Sequence, residues 1–254
     1  MLRNNVELEP DRVYAICKMV VSNNYSKKEL IEKMIINKDK RLKIVLNFTL
    51  DINLLRIDKG ILKCKFTKKE VFNKDLFILK LSKIFLKNDE KFLKIIAELM
   101  KNYPNKYNEA QSYGSLLTKL PDSLIDDYDL KYIRVLRFWI DFFKLGYYIN
   151  NQIVIYPLGR IKDIIRYSEF DKERLININE FIDFLKSEGI EFENQIDINN
   201  HKIKYILSLM LLELEKINYI KLKFVSDSDV VYKLTGEIIE SKSKVSHVLI
   251  KGDL

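Results

Sequence analysis

The sequence predicts an α+β protein that is mainly α-helical and carries small β-hairpins. Helical periodicity of apolar residues fills most of the 254 positions. At residues 52–55, 145–148 and 217–220 a helical segment ends in a short step of aliphatic and polar residues. Each step leads into two strand-like runs that are separated by turn residues. The chain is therefore expected to repeat a helix followed by a hairpin.

Residues 1–66 carry the clearest copy of this repeat. Three helices are predicted there, over about 11–21, over about 26–36, and from a cap at Asn37 or Asp39 to about Thr49. The first follows Pro10, which suits the start of a helix, and its apolar residues recur at i, i+3, i+4 and i+7. The second begins with Ser26 and Glu29 at the spacing of a capping box.

A hairpin with a basic tip follows these helices. Its strands are predicted over 53–57 and 61–66, with Asp58-Lys59-Gly60 between them. Glycine suits this turn because it adopts the positive φ that a tight hairpin needs. Three helices and a hairpin in this order resemble the winged-helix family of helix-turn-helix modules, over residues 11–66.

The resemblance implies contact with double-stranded DNA. In that family the third helix enters the major groove, and the hairpin, or wing, touches the backbone or the minor groove. The residues expected to contact DNA are Lys40, Arg41, Lys43, Asn47, Lys59 and Lys63. Lysine binds phosphate without reading sequence, whereas asparagine pairs with an adenine edge. The alternative is an ordinary solvated helix face, because lysine-rich surface helices are common in this chain.

The rest of the chain is predicted to form a helical connector and two further winged-helix-like units. The four parts are residues 1–66, 67–120, 121–169 and 170–254. In the connector, which is expected to be wholly helical, Thr67 and Glu70 repeat the capping-box spacing, and residues 103–114 are the candidate linker. The predicted fold is thus a set of tandem winged-helix units joined by a helical segment.

Aromatic residues dominate the second repeat. A helix after Asp129 and a hairpin around Asn150-Asn151 are predicted. The aromatic residues proposed to contact a protein partner are Trp139, Phe142, Tyr147 and Tyr148. Base stacking is disfavoured because stacking platforms interleave aromatics with Lys or Arg, and this part has no net charge. A hydrophobic core and a subunit interface both remain open.

The third repeat ends in an acidic turn. Helices are predicted over about 177–186 and 199–216, a hairpin over 219–225 and 230–234, and one added strand over 245–250. The turn Ser226-Asp227-Ser228-Asp229 would repel phosphate, so a protein contact is expected there.

Positive charge is concentrated in the first half of the chain. The formal charge of +8 divides into +6 for residues 1–66, +5 for 67–120, 0 for 121–169 and −3 for 170–254. Such asymmetry is expected where one half meets a polyanion. A compositional bias toward Lys, Asn and Ile is the competing explanation.

Few residues offer catalytic or metal chemistry. The seven glycines are too scattered for a phosphate loop, and two histidines without a nucleophile elbow do not make a hydrolase. Cys17 and Cys64 lie far from both histidines in sequence, so a zinc site is not expected, and reduced core thiols are. Glu213, Glu215 and Lys216 weakly resemble a nuclease set, but a solvated helix end is expected there. No enzyme activity and no cofactor are predicted.

These observations leave two functional hypotheses. The first is a non-enzymatic DNA-binding protein, and the second is an adaptor that holds the protein partners of a larger complex, such as an ATPase or nuclease, without touching DNA. No run of about 18 apolar residues and no signal core occur, so a cytoplasmic location is expected. In layout alone the chain resembles accessory proteins of prokaryotic mobile elements and of antiviral (phage) defence operons.

Overall fold

The computed structural model of the chain describes residues 8–36, 42–88, 111–112, 130–149, 152–167, 172–190, 195–236 and 244–251. The chain groups into two compact units. The N unit comprises Met1–Lys91 and Pro121–Phe143, and the C unit comprises Phe92–Leu120 and Lys144–Leu254. Both contain helices and small sheets, which confirms the α+β class. The division into four parts stays a prediction.

The N unit begins with three helices and a hairpin. These are α1 (Pro10–Ser22), α2 (Lys27–Ile36), α3 (Leu42–Asp51), β1 (Leu55–Asp58) and β2 (Ile61–Cys64). The other described helices of the unit are α4 (Lys68–Phe72), α5 (Lys74–Asn88) and α6 (Leu130–Phe142). The first two predicted helices and the predicted hairpin are therefore confirmed, and the third helix is confirmed from residue 42 onward.

Side-chain caps explain where α2 and α4 begin. The Ser26 hydroxyl accepts a hydrogen bond from the Glu29 amide at 3.2 Å, and the Glu29 carboxylate accepts one from the Ser26 amide at 2.7 Å. The Ser26 amide lowers the pKa of Glu29 by this bond. Thr67 and Glu70 form the same reciprocal pair before α4. Both capping boxes that the spacing predicted are present.

The step that ends each repeat's helix has a common backbone conformation. Asn53 and Asn218 adopt φ of 56° and 62°, in the left-handed region, and Lys144, immediately before residues 145–148, adopts φ of 55°. After α3, the Leu54 amide reaches back to the Thr49 carbonyl at 3.0 Å. This is the bond that closes a helix in a Schellman motif. The recurring sequence step therefore marks a helix terminus that redirects the chain into a strand.

The turn of the first hairpin has two residues. Asp58 lies opposite Ile61 in the β1–β2 register, which leaves Lys59 and Gly60 between the strands. Their φ angles are 49° and 81°, and two positive values define the type I′ turn that suits the twist of a hairpin. Ser26 forms a bridge with Ile61, so the start of α2 is tied to β2.

Trp139 lies at the centre of the N unit. Its side chain is fully buried and its Nε1 donates to the Leu8 carbonyl at 3.0 Å. The ring packs against Phe85, Phe143 and Phe48 at centroid distances of 4.3, 5.2 and 6.3 Å. A tryptophan with its N–H satisfied and apolar rings around it is a core residue. The helix α6 therefore completes the core of this unit.

The C unit contains three small sheets and three described helices. Its elements are β3 (Gln111–Ser112), β4 (Gly146–Ile149), β5 (Gln152–Ile155), α7 (Leu158–Tyr167), β6 (Leu175–Asn177), α8 (Ile178–Ser187), β7 (Ile196–Asp197), β8 (Lys202–Ile203), α9 (Tyr205–Lys216), β9 (Ile220–Lys223), β10 (Tyr232–Leu234), β11 (Lys244–Val245) and β12 (His247–Ile250). The strand orders are β3-β5-β4, β6-β12-β9 and β11-β10-β8-β7. The pairings are antiparallel except β8 with β10. The second hairpin, β4–β5, is confirmed.

The third predicted hairpin is wrong. The strands β9 and β10 form where expected, but β9 pairs with β12, and β10 pairs with β8 and β11. The last segment separates them, because Ser246 lies between β11 and β12 and passes the chain from one sheet to the other. Its buried hydroxyl accepts from the Val225 amide at 2.9 Å. The run predicted as one added strand thus forms two.

Two predicted helical boundaries also need correction. Residues 67–120 are not wholly helical, because Gln111 and Ser112 pair with β5. The long helix begins at Tyr205, because residues 196–203 form the β7–β8 hairpin. Its turn is held by Asp197, which accepts from the Asn200 amide at 3.0 Å and side chain at 2.8 Å. These bonds lower the pKa of Asp197.

Candidate nucleic-acid interface

The outer face of α3 presents two of the residues expected to contact DNA. Lys43 and Asn47 are exposed, one helical turn apart. The opposite face is buried through Val45, Leu46 and Thr49. Lys40 and Arg41 lie outside the described residues. The described part of α3 therefore has the amphipathic arrangement that a groove-entering helix requires.

The hairpin adds a second group of cations. Lys59 is exposed at the type I′ turn, and Lys63 is half-buried on β2 with its Nζ 3.5 Å from the Asn24 side-chain oxygen. The β1–β2 register places Arg56 directly opposite Lys63. Directly opposed side chains share one face of a sheet, and like charges directly opposite each other are destabilising. An anion bound between Arg56 and Lys63 would remove this repulsion.

Arg56 was not among the residues expected from the sequence. It stands in a strand whose other exposed members, Ile57 and Asp58, are not cationic, so charge clustering along the chain did not single it out. The signal that could have found it is the turn. A two-residue Lys-Gly turn fixes the register, and the register sets Arg56 against Lys63.

A basic and aromatic cluster lies elsewhere on the N unit. Phe72 is 51% exposed, and the Nζ atoms of Lys18 and Lys68 lie 5.3 and 5.9 Å from its ring centroid. Lys18 also lies 5.4 Å from the Tyr14 ring centroid. Interleaved lysines and aromatic rings are typical of stacking surfaces for nucleic acid. The sequence did not reveal this cluster because α1 and α4 bring its members together from distant positions.

The aromatic residues proposed for a protein partner separate into two groups. Trp139 is fully buried and Phe142 is 8% exposed, so the expectation that aromatics around Trp139 are open to a partner is wrong for both. Tyr147 is 38% exposed and remains accessible. Tyr148 pairs with Ile153 through its backbone, and its side chain lies outside the described part of the chain.

The two glutamates of the C unit that weakly resemble part of a nuclease set have structural partners. Glu213 accepts a hydrogen bond from the Tyr156 hydroxyl at 2.6 Å, and Glu215 accepts one from the Leu222 amide at 3.0 Å. These contacts attach α9 to its neighbours and leave the carboxylates engaged. Among the described residues, no group of three or more His, Cys, Asp or Glu side chains could hold a metal ion.

Charged side chains of α7 are buried close to Lys144, which lies shortly before β4. The Lys144 ammonium contacts the Asp163 carboxylate at 2.7 Å, and the Arg160 side chain is fully buried. Burial lowers the pKa of Arg160 to about 10, against the opposing fields of Glu188 and Asp163. Arg160 therefore stays charged at neutral pH. Its burial makes it a structural cation, unlike the exposed cations of the hairpin.

The C unit has exposed apolar side chains and contains a cleft. Leu175, Ile198, Ile217 and Phe224 are 45, 69, 40 and 52% exposed. A cleft of about 460 Å³ is lined by Ile182, Asp183 and Lys186 of α8, by Ile196 and Ile198, and by Tyr232. In the described part of the chain, no helix is long and apolar enough to cross a membrane.

Comparison of this chain with protein-family models, with curated proteins and with solved structures finds no match.

Proposed function

We propose that this chain is a non-enzymatic protein that binds double-stranded DNA through the N unit. In this proposal α3 enters the major groove with Lys43 and Asn47, and the β1–β2 hairpin acts as the wing. The single observation that carries the proposal is the pairing of Arg56 with Lys63 on the hairpin. Two cations held opposite each other on a short sheet form a site for the phosphate backbone.

The element order supports assignment of the N unit to the winged-helix fold. Three helices precede the hairpin, and the Ser26–Ile61 bridge adds the short pairing between the start of α2 and β2. The tandem arrangement is proposed in a reduced form. It is limited to the module over residues 10–64 and to the β4–β5 hairpin of the C unit, because α6 belongs to the N unit and β9 and β10 do not form a third hairpin.

Fluorescence anisotropy with a labelled duplex tests DNA binding on the full chain. We expect the Kd to rise steeply with salt, because each phosphate contact releases a condensed counterion. Reversing both hairpin charges, in Arg56→Glu with Lys63→Glu, should raise Kd by about tenfold or more and reduce the salt slope by about two. A salt slope that the double reversal leaves unchanged would contradict the proposed wing.

A matched control has the same charge change in the C unit. Lys221 and Lys233 are exposed strand residues, and Lys221→Glu with Lys233→Glu removes as much net charge. This variant should bind the duplex almost as the unmodified chain does. Equal loss in both double variants would show that binding follows overall charge and does not depend on the hairpin.

Asn47 tests whether α3 reads sequence. Asn47→Ala should lower discrimination between preferred and unrelated duplexes, by about 1–3 kcal/mol if the amide pairs with an adenine. Lys43→Ala should weaken binding to all duplexes about equally. If Asn47→Ala weakens binding equally for every duplex, α3 contacts only the backbone.

A second candidate function is an adaptor that holds protein partners through the C unit. The observation that favours it is the exposure of apolar side chains on this unit, Ile198 and Phe224 above all. Contiguous exposed apolar surface marks sites of protein interaction. A tagged chain purified from its native host should carry a stoichiometric partner, and Ile198→Asp or Phe224→Asp should release it. Elution as a lone monomer would oppose the adaptor.

We also propose, from layout alone, that the complex belongs to a prokaryotic mobile element or antiviral defence system, which the neighbouring genes would test.

A further inference from the structure

The fold brings the two cysteines of the chain together. Cys17 lies in α1 and Cys64 is the last residue of β2, and α1 packs against β2 in the N unit. Cys17 is fully buried among the apolar residues of α1, whereas Cys64 is partly exposed. Both are free thiols. The sequence predicted two reduced core thiols, and their proximity is a result of the tertiary fold.

The two thiols interact directly and unequally. A hydrogen bond between the two thiols lowers the pKa of Cys64 and, together with burial, raises the pKa of Cys17. The thiolate is the reactive form of cysteine. Cys64 therefore has both the exposure and the hydrogen bond of an attacking thiol, and Cys17 is placed to react with it in a second step.

We propose that Cys17 and Cys64 form a redox-active dithiol, which hydroperoxides convert into an intramolecular disulfide. This site is separate from the proposed DNA contacts and does not depend on them. It requires only that a small oxidant reaches the sulfur of Cys64, a partly exposed residue, in the native N unit.

The reaction proceeds in two balanced steps. The Cys64 thiolate attacks one oxygen of hydrogen peroxide, the O–O bond breaks, and hydroxide leaves and takes up the proton that Cys64 lost, so that Cys64 becomes a sulfenic acid and one water forms. The Cys17 sulfur then attacks the Cys64 sulfur, the S–O bond breaks, and the departing hydroxide takes the Cys17 proton. Two thiols and one peroxide thus give one disulfide and two waters. A dithiol reductant reverses the change by thiol–disulfide exchange.

The disulfide would fix the base of the hairpin to α1. The closed loop runs from residue 17 to residue 64 and includes α2, α3 and β1. Such a cross-link restrains the unfolded chain and therefore stabilises the folded one. The oxidised protein should melt at a higher temperature than the reduced protein, and a dithiol reductant should restore the lower value.

The test uses the reduced full-length chain and dilute hydrogen peroxide. We expect the intact mass to fall by two hydrogen atoms, maleimide labelling of the denatured chain to be lost, and peptide mapping to identify Cys17 joined to Cys64. The chain should stay monomeric on a non-reducing gel. In Cys17→Ala, Cys64 should instead accumulate as a sulfenic acid that dimedone traps, and in Cys64→Ala the buried Cys17 should keep its thiol.

The outcomes separate clearly. Dimedone adducts on unmodified protein without loss of two hydrogens, or disulfides that join two chains, would overturn the proposal. Circular dichroism of both variants identifies any that fail to fold, and the unmodified chain decides the question without them. DNA binding is measured separately, so its failure leaves this result unaffected.

Discussion

The helix-and-hairpin repeat of the N unit and the last repeat of the C unit use the same helix-ending step but complete their sheets differently. After α3, the strand β1 pairs with the next strand in sequence. After α9, the strand β9 leaves its successor and pairs with β12. The difference lies in the turns. Lys59-Gly60 forms a two-residue type I′ turn with positive φ, whereas eight residues, 224–231, separate β9 from β10. A helix ending in a left-handed residue therefore predicts a following strand. The partner of that strand is set by the tight turn in the first repeat and by residues 244–250 in the last.

The largest effect is expected from the core that α6 completes in the N unit. Trp139→Ala should lower the free energy of unfolding by about 3–5 kcal/mol, because it removes a fully buried ring and leaves a cavity. Chemical denaturation followed by circular dichroism measures this loss. Tyr147→Ala on the C unit, at an exposed aromatic, is the control and should change stability by less than about 1 kcal/mol. Equal effects would remove the distinction between buried and accessible aromatics.

The second largest loss of stability is expected at Ser246, where the chain passes from β11 to β12. Ser246→Ala removes the buried hydroxyl that binds the Val225 amide, and such a loss costs about 1–3 kcal/mol. The control, Ser187→Ala, removes a hydroxyl on the exposed end of α8 and should have little effect. Hydrogen exchange at Val225 would report the change locally. An unaltered exchange rate there would show that Ser246 does not hold the junction.

The β1–β2 turn and the long loop between β9 and β10 can be compared by one matched pair of variants. Gly60→Ala places a side chain at φ of 81° and should cost about 1–2 kcal/mol, although no atom lies near the added carbon. Asp229→Ala, in the long loop of the C unit, should change stability by less than about 0.5 kcal/mol. Thermal melts of both variants test the pair. If Asp229→Ala proves the more damaging, the contrast between the two turns is wrong.

The smallest effect concerns acid stability of the N unit. Lys80 and the Thr67 amide hold the pKa of Glu70 down, at about 2. A carboxylate whose folded pKa is depressed stabilises the protein above its unfolded pKa, and this contribution disappears as pH falls from about 5 toward 2. Glu70 is partly exposed, so solvent screening reduces the effect. Glu70→Gln should flatten the dependence of unfolding free energy on pH over this range. The control is Glu32→Gln, which removes a carboxylate from an exposed surface ion pair.

Local signals explain how much of the fold the sequence could predict. Capping boxes at Ser26 and Thr67 and the Lys-Gly turn act over a few residues, so the elements of the N unit were largely predictable. The partners of β9 and β10 depend on residues 244–250, which no local pattern connects to them. The residues of the candidate site likewise divide into those that local patterns predict and those that depend on strand pairing. Lys43, Asn47 and Lys59 follow from periodicity and turn chemistry, whereas Arg56 required the register. The burial of Trp139 and the contact between Cys17 and Cys64 required tertiary packing.

Residues 244–250 contribute β11 to one sheet of the C unit and β12 to another, and this has a consequence for synthesis on the ribosome. The β1–β2 hairpin contains its own partner and can pair once residue 64 has left the exit tunnel. By contrast, β6 and β9 flank β12 on either side and lack their central strand until residue 250 emerges. Their edges stay open during that interval, and open edges associate with other chains. Truncated translation products that stop before residue 244 should therefore aggregate through the C unit.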